Sequence, residues 1–222
     1  MAEALRVGIA GLGTVGASVV RVLAEKADEL TRQCGRPIAV AAVSALDMSR
    51  NRGRARDDVK WFDDRAALGK SADIDVFVEL IGGEEGAARQ SVRAALDAGR
   101  HVVTANKALL ARHGLTLAEV AEKKGVLLNY EAAVAGGIPV IKTLREALAG
   151  NSVGRIFGIL NGTCNYILTR MEAEGLSFDE CLKDAQRLGY AEADPTFDIE
   201  GHDTAHKLAI LTSLAFGCRI SA

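Results

Sequence analysis

At 222 residues the chain is long enough for one large domain or two small ones, and a chain of that size buries roughly 70% of the surface its unfolded form exposes, so it needs no covalent staple. Hydrophobic residues make up 49% of it and charged residues 25%, and 27 basic against 29 acidic side chains leave a net charge of −2. That balance gives neither nucleic acid nor an anionic membrane an electrostatic hold, and no uninterrupted apolar span reaches membrane length.

The four cysteines, Cys34, Cys164, Cys181 and Cys218, form no C-x-x-C pair, which argues against a zinc knuckle. Isolated thiols in a chain of this size fit a reducing compartment. The opening MAEALRVGIAGLG is broken by glycines and runs into a strand rather than forming a signal peptide. The expectation is a cytoplasmic protein.

In chain order, Leu5 to Ala10 is a short apolar strand ending in glycines, and Val15 to Leu30 has helical spacing. Ile38 to Val43 reads as a second strand, followed by a basic loop from Arg50 to Arg56. Ile74 to Ile81 is a third strand, almost wholly apolar, as suits burial on both faces. A helix is predicted from Ala87 to Ala98 with Gly99 as its stop, then a strand from His101 to Thr104, a helix from Leu115 to Lys124 closed by Gly125, and a strand from Val126 to Asn129. Strands alternating with helices imply a parallel sheet with right-handed crossovers.

The texture changes near Tyr130. Ala132 to Gly137 is small and flexible, and Pro139 opens a helix through Ala149. Arg155 to Leu160 reads as a strand, and Tyr166 to Glu174, Phe178 to Leu188 and Asp203 to Phe216 read as helices. One strand is too few for an independent sheet, so further chain or a partner subunit is expected to complete this half. The expected fold class is therefore α/β: a Rossmann-type doubly wound parallel sheet over residues 1–130, then a second, mixed α+β domain over 131–222 that is incomplete.

The segment GIAGLGTVG places Gly11, Gly13 and Gly16 in G-x-G-x-x-G spacing between a strand and a helix. The first glycine allows the tight turn, the second lets a pyrophosphate approach the backbone, and the third lets helix pack on strand. The N–H groups at the helix start, around Thr14 and Val15, then favour the anion. This context points to a dinucleotide, the other reading being a structural turn. The 2′ position stays open: Ser44 and Asp47 lie near the end of the second strand, and Arg50, Arg52 and Arg54 follow. An acid there favours NAD and arginines favour NADP.

Ligands of open parallel sheets bind beyond the carboxyl ends of the strands. Ile81, Gly82 and Gly83 lie at one such end, and Thr104, Ala105, Asn106 and Lys107 at another. A lysine at that place can exchange a proton with a substrate beside the nicotinamide, or it can simply start a helix at the surface.

The stretch EADPTFDIEGHDTAHK, Glu192 to Lys207, holds five carboxylates, two histidines and a lysine. Asp203 and Lys207 are four apart and share a helical face, with Asp203 in the first turn where the dipole favours a carboxylate. Glu192, Asp194 and Asp198 precede them in a loop that can wall in the ammonium group of a small zwitterion. His202 and His206 have the same spacing and raise a metal reading, but the glutamate of H-E-x-x-H is missing. A solvated acidic face is the third possibility.

The segments GIAGLGTVG, VELIGG, HVVTANKALL, YEAAVAGGIPVI, NGTCNYIL and GYAEADPTFDIEGHDTAHKLAIL, in this order and over nearly the whole chain, resemble the homoserine dehydrogenase family. The resemblance implies reversible hydride transfer between L-homoserine and L-aspartate 4-semialdehyde with NADP or NAD, on the route to threonine, methionine and isoleucine. It implies that Lys107, Lys207 and Asp203 are catalytic, and that Glu192 and Asp198, together with Lys107, bind substrate. The implied cofactor set is Gly11, Gly13, Thr14, Val15, Gly16, Ile81, Gly82, Thr104 and Lys107. Glu131 and the backbone carbonyls of Val134, Gly136 and Ile138 match the family's loop for a monovalent cation, sodium.

The family often carries an arginine just after the second strand, where this chain reads Ser44-Ala45-Leu46-Asp47, so NADP preference does not transfer. The region resembled is the catalytic one, without the regulatory ACT domain that many members add. In the family it continues past the point where this chain stops, with later strands that complete a dimer-forming sheet, so a homodimer is expected. The rival expectations are a dinucleotide-binding module without turnover and a dehydrogenase of another semialdehyde or amino acid.

Overall fold

The computed structural model describes residues 2–46 and 59–219. Asp47, Arg50, Arg52 and Arg54, on which the reading of the cofactor's 2′ position rests, lie outside the described residues. The chain divides into two compact units, Met1–Ala133 and Val134–Ala222.

The first unit alternates strands and helices: β1 (Leu5–Ala10), α1 (Thr14–Glu25), α2 (Ala27–Cys34), β2 (Ile38–Ser44), β3 (Lys60–Trp61), α3 (Arg65–Lys70), β4 (Val76–Glu79), α4 (Ala87–Asp97), β5 (His101–Thr104), α5 (Lys107–Lys124) and β6 (Leu128–Asn129), with a 3₁₀ turn at Glu131–Ala133. The six strands form one sheet in the order β3-β2-β1-β4-β5-β6, and every pairing is parallel. This is the doubly wound order of dinucleotide-binding sheets, in which the chain reverses direction across the sheet between β1 and β4. Val7, Ile9 and Val43 fill the core, and Val19 and Val20 of α1 pack on them. At the far end of the sheet Arg6 clamps β1 to the entry of β4: its backbone N–H and its Nε donate to Asp75 Oδ2 at 2.8 and 3.2 Å, and its Nη2 donates to Oδ1 at 2.7 Å.

Three differences from the sequence reading are local. The helix expected from Val15 to Leu30 is two helices that meet at Lys26. The helix expected from Leu115 begins at Lys107, because the Asn106 side chain caps it by accepting from Leu109 N at 3.1 Å and the helix continues through Gly114. The two-residue β3 and the short α3, capped by Asp64, carry no apolar run long enough to read.

Among the described residues the second unit is helical: α6 (Val140–Lys142) with a π-turn at Thr143–Ala147, α7 (Gly162–Glu174), α8 (Phe178–Arg187), α9 (Thr196–Ile199) and α10 (His202–Phe216). Its core joins Ile167 of α7 to Cys181 and Ala185 of α8. The turn between them is closed by Gly175 in the left-handed region and by a reciprocal capping box of Ser177 and Glu180. The expected strand at Arg155 to Leu160 does not form: no described segment pairs with it, and Phe157 and Ile159 stand 82% and 75% exposed. A strand exists only through its ladder. The helix expected from Pro139 to Ala149 keeps one turn before the π-turn, where the Thr143 hydroxyl donates back to the Pro139 carbonyl at 2.7 Å. No described helix is long and apolar enough to cross a membrane.

Candidate active site

The first unit builds a phosphate-ready turn. Gly11 has φ +98°, and a Cβ there would stand 2.4 Å from the Leu80 carbonyl oxygen. A Cβ on Gly16 would stand 1.9 Å from the Gly11 carbonyl oxygen, so α1 can approach the turn only with glycine at that place. Gly13 differs: a Cβ there would meet nothing within 4 Å. Two glycines thus close the turn on itself and the third opens it outward. Gly13 is also the N-cap of α1, which has neither a side-chain cap nor an acid in its first turn. Thr14 and Val15 are exposed beside it. Uncapped N–H groups at the start of a twelve-residue helix suit an anion, and these residues fit a dinucleotide's pyrophosphate.

Across the chain-reversal point, the ends of β4 and β5 are laced together. Glu79 is fully buried. Its Oε1 accepts from the N–H of Ile81 at 2.7 Å and of Gly82 at 3.1 Å, and its Oε2 accepts from Thr104 Oγ1 at 2.5 Å. Thr104 Oγ1 accepts in turn from Asn106 N at 3.0 Å, and Asn106 Nδ2 donates to the Gly83 carbonyl at 2.6 Å. Lys107 follows, half-buried, as the first residue of α5.

The second unit gathers its own cluster at the start of α10. Asp203, 3% exposed, accepts from Lys207 Nζ at 2.7 Å, and the same ammonium donates to the Leu160 carbonyl at 2.8 Å. Asn161, the N-cap of α7, binds three ways: Oδ1 accepts from Cys164 N at 2.8 Å, and Nδ2 donates to Asp198 Oδ1 and to Asp203 Oδ2, both at 2.9 Å. The Thr163 hydroxyl lies 2.7 Å from the Tyr190 carbonyl and 3.2 Å from Asp198 Oδ2. Burial, then the charges of Asp198 and Asp203, push the Cys164 thiol above its ordinary range.

The cluster brings Asp198, Asp203 and Lys207 together. Glu192 is exposed, and the contact that ties it down is through its backbone carbonyl, which accepts from Gln186 Nε2 at 3.1 Å. The two histidines of α10 pack on Phe197, with ring centroids 6.0 Å away for His202 and 5.4 Å for His206. No group of three or more metal-ligating side chains forms among the described residues. Of the loop expected to hold a monovalent cation, Glu131 lies in the first unit and Val134, Gly136 and Ile138 in the second.

A family model for the homoserine dehydrogenase NAD binding domain matches residues 11–131, and one for homoserine dehydrogenase matches residues 139–222. The chain belongs to the homoserine dehydrogenase family. A homoserine dehydrogenase of Neisseria gonorrhoeae is 48% identical over 96% of this chain and 48% of its own length. The crystal structure of a homoserine dehydrogenase from Thiobacillus denitrificans matches with a TM-score of 0.91 and 47% identity, over 99% of this chain and 50% of that one. A hyperthermophilic archaeal homoserine dehydrogenase in complex with NADPH matches with a TM-score of 0.84 and 27% identity, over 98% of this chain and 71% of that one. The chain spans about half the length of the curated relatives it matches.

For a chain of this family, sequence reading misses Glu79, Asn161 and Thr163 as site residues. Glu79 has a signal, an acid inside an apolar run, which is rarely buried without partners. Asn161 and Thr163 stand in the NGTCNYIL segment, but their carboxylate and carbonyl partners, 27 to 42 residues away, leave no mark in the sequence.

Proposed function

We propose that the chain carries out homoserine dehydrogenase chemistry, interconverting L-homoserine and L-aspartate 4-semialdehyde with NADP or NAD. In this reading residues 1–130 hold the cofactor and 131–222 the substrate. The observation that carries it is the pair of buried Asp203 and half-buried Lys207, hydrogen-bonded into one network with Asn161 and Asp198. The outward-opening turn at Gly13 supports the cofactor half, as does the NADPH complex of the archaeal relative.

A bound nicotinamide supplies the hydride in the reductive direction. The chain's own residues manage charge and protons. Negative charge develops on the aldehyde oxygen, and an ammonium aimed at it lowers the barrier. Lys207 has two acceptors, Asp203 and the Leu160 carbonyl, among the described residues, so a third ammonium hydrogen remains for the substrate oxygen. Delivery of that proton gives the alcohol, and solvent then reprotonates the lysine. Asp203 holds Lys207 in place. Lys107 is the second candidate donor, delivered by the start of α5. Glu192, exposed on its loop, and Asp198 supply negative charge for the amino acid's ammonium group. The finer proposals are a sodium ion held by Glu131 and the carbonyls of Val134, Gly136 and Ile138, a homodimer, and a cytoplasmic location in keeping with four unpaired thiols.

The test is direct. Purified chain, first shown to bind NADPH or NADH, is mixed with aspartate semialdehyde, and the absorbance of the reduced nicotinamide is followed. Loss of absorbance is expected, faster in sodium than in choline chloride, with a solution mass of two 23.4 kDa chains. Binding without any oxidation replaces this reading with that of a dinucleotide-binding module.

A further inference from the structure

Glu79 is a puzzle in the sheet. It ends a strand whose other residues are Val76, Phe77 and Val78, and it is fully buried. Burying a carboxylate is costly unless donors meet it, and an apolar residue would fill a sheet core at no such cost. The acid is therefore there for its hydrogen bonds. Two of the three come from consecutive backbone N–H groups, those of Ile81 and Gly82, in the loop that leaves β4. The third comes from Thr104, at the end of the neighbouring strand β5.

These bonds dictate which way the loop's peptides face. A peptide is planar and trans, so its carbonyl points opposite to its N–H. With the N–H of Gly82 turned in toward Glu79, the Ile81 carbonyl is turned away from the carboxylate. The same holds for the Leu80 carbonyl, which meets Gly11 of the glycine turn, since a Cβ on Gly11 would stand 2.4 Å from it. Gly82 and Gly83 follow with φ of +86° and +82°, and a Cβ on either would meet nothing within 4 Å, so the outer side of the loop is open. The second anchor is Asn106, whose Nδ2 holds the Gly83 carbonyl at 2.6 Å while its N–H donates to Thr104 Oγ1 at 3.0 Å. Glu79, loop 81–83, Asn106 and Thr104 thus close a ring.

The ring stands beside the crevice at the reversal point between β1 and β4, where doubly wound sheets bind ligands. The β1–β3 side of such a sheet takes the adenosine half of a dinucleotide and the β4–β6 side the other half. We infer that Glu79 is a positioning residue for the nicotinamide half of the cofactor. Its carboxylate turns two loop N–H groups inward, and the loop then offers carbonyl acceptors, that of Ile81 above all, to the hydroxyl and amide donors of that half. The inference rests on the cofactor reading proposed above.

The experiment compares the full-length wild-type chain with Glu79→Gln, Glu79→Ala and Thr104→Val. Dissociation constants are measured for NADPH and NADH, and for 5′-AMP and 2′,5′-ADP, which carry the adenosine half alone. Glutamine keeps the size of Glu79 but cannot accept at both ends, so one of its contacts is lost or reversed. Loss of a hydrogen bond to a charged group predicts reduced-dinucleotide affinity about tenfold weaker in Glu79→Gln and weaker still in Glu79→Ala. The adenosine ligands are expected to stay within about twofold, since nothing that holds them has moved. Amide exchange at Ile81 and Gly82 is expected to quicken. Should Glu79→Ala not fold, Glu79→Gln and Thr104→Val carry the test. Unchanged dinucleotide affinity in the variants overturns the inference, and so does equal weakening of both ligand classes, which marks a merely structural acid. A wild-type chain that binds no dinucleotide at all overturns the cofactor reading itself, and this inference with it.

Discussion

Asn161 shows what a single side chain can arrange. One amide nitrogen has two hydrogens, and here each goes to a different carboxylate, Asp198 and Asp203. Asp203 Oδ2 therefore accepts from Asn161 and from Lys207 together. The Asp203–Lys207 pair is readable from sequence, because residues four apart on a helix share a face. The amide that orients the pair is not, because a contact across 42 residues exists only once the fold has made it. The two lysines carry the residue-scale prediction. Lys207→Ala and Asp203→Asn are each expected to lower turnover about a hundredfold or more, the usual range for a lost proton-transfer group. Lys107→Ala is expected to lower it strongly as well, and Lys207→Ala and Asp203→Asn should bind NADPH with nearly wild-type affinity. Steady-state kinetics beside a binding titration give the answer, and near-normal turnover in both lysine variants would rule the assignment out.

Among the elements, those built on local chemistry are visible in the sequence and those built on distant partners are not. The apolar runs of β1, β2 and β4, the stop at Gly125 and the turn before α1 all read directly. The Arg155–Leu160 segment has the composition of a strand, yet no described partner completes its ladder. Gly114 looks like a boundary, yet α5 runs through it because Asn106 caps the helix eight residues earlier. The glycine turn yields the element-scale prediction, since its glycines fail in different ways. Gly16→Ala forces a Cβ against the Gly11 carbonyl and is expected to lower the melting temperature. Gly13→Ala meets nothing in the chain and is expected to leave the melting temperature within a degree or two, while dinucleotide affinity falls about tenfold or more as the methyl group occupies the pyrophosphate's approach. Calorimetry and a cofactor titration on the two variants separate them, and equal losses in both measurements would refute the division of roles.

Over the whole molecule, the carboxylates set the response to acid. Asp73 beside Lys60, Asp75 beside Arg6, Glu85 beside Arg89, Glu180 on the Ser177 hydroxyl, Asp184 beside Arg187 and Asp194 on Thr196 are all held below the usual carboxylate range. A folded-state value below the unfolded one means stability that is present above the unfolded value and lost as pH falls through the folded one. Ordinary values lie near 4, so the melting temperature is expected to hold steady down to about pH 5 and to decline progressively below about pH 4. A melting temperature that climbs on acidification below that point would contradict the signs of all six. The sheet itself was foreseeable as parallel and doubly wound from the alternation of its elements. Its strand order has a consequence for how the protein is made. β1 lies between β2 and β4, yet its residues leave the ribosome before those of either neighbour. The middle of the sheet is thus synthesised first and waits with two open edges, one until Ser44 has emerged and the other until Glu79 has. The residue that ends this wait is the buried acid that laces β4 to β5.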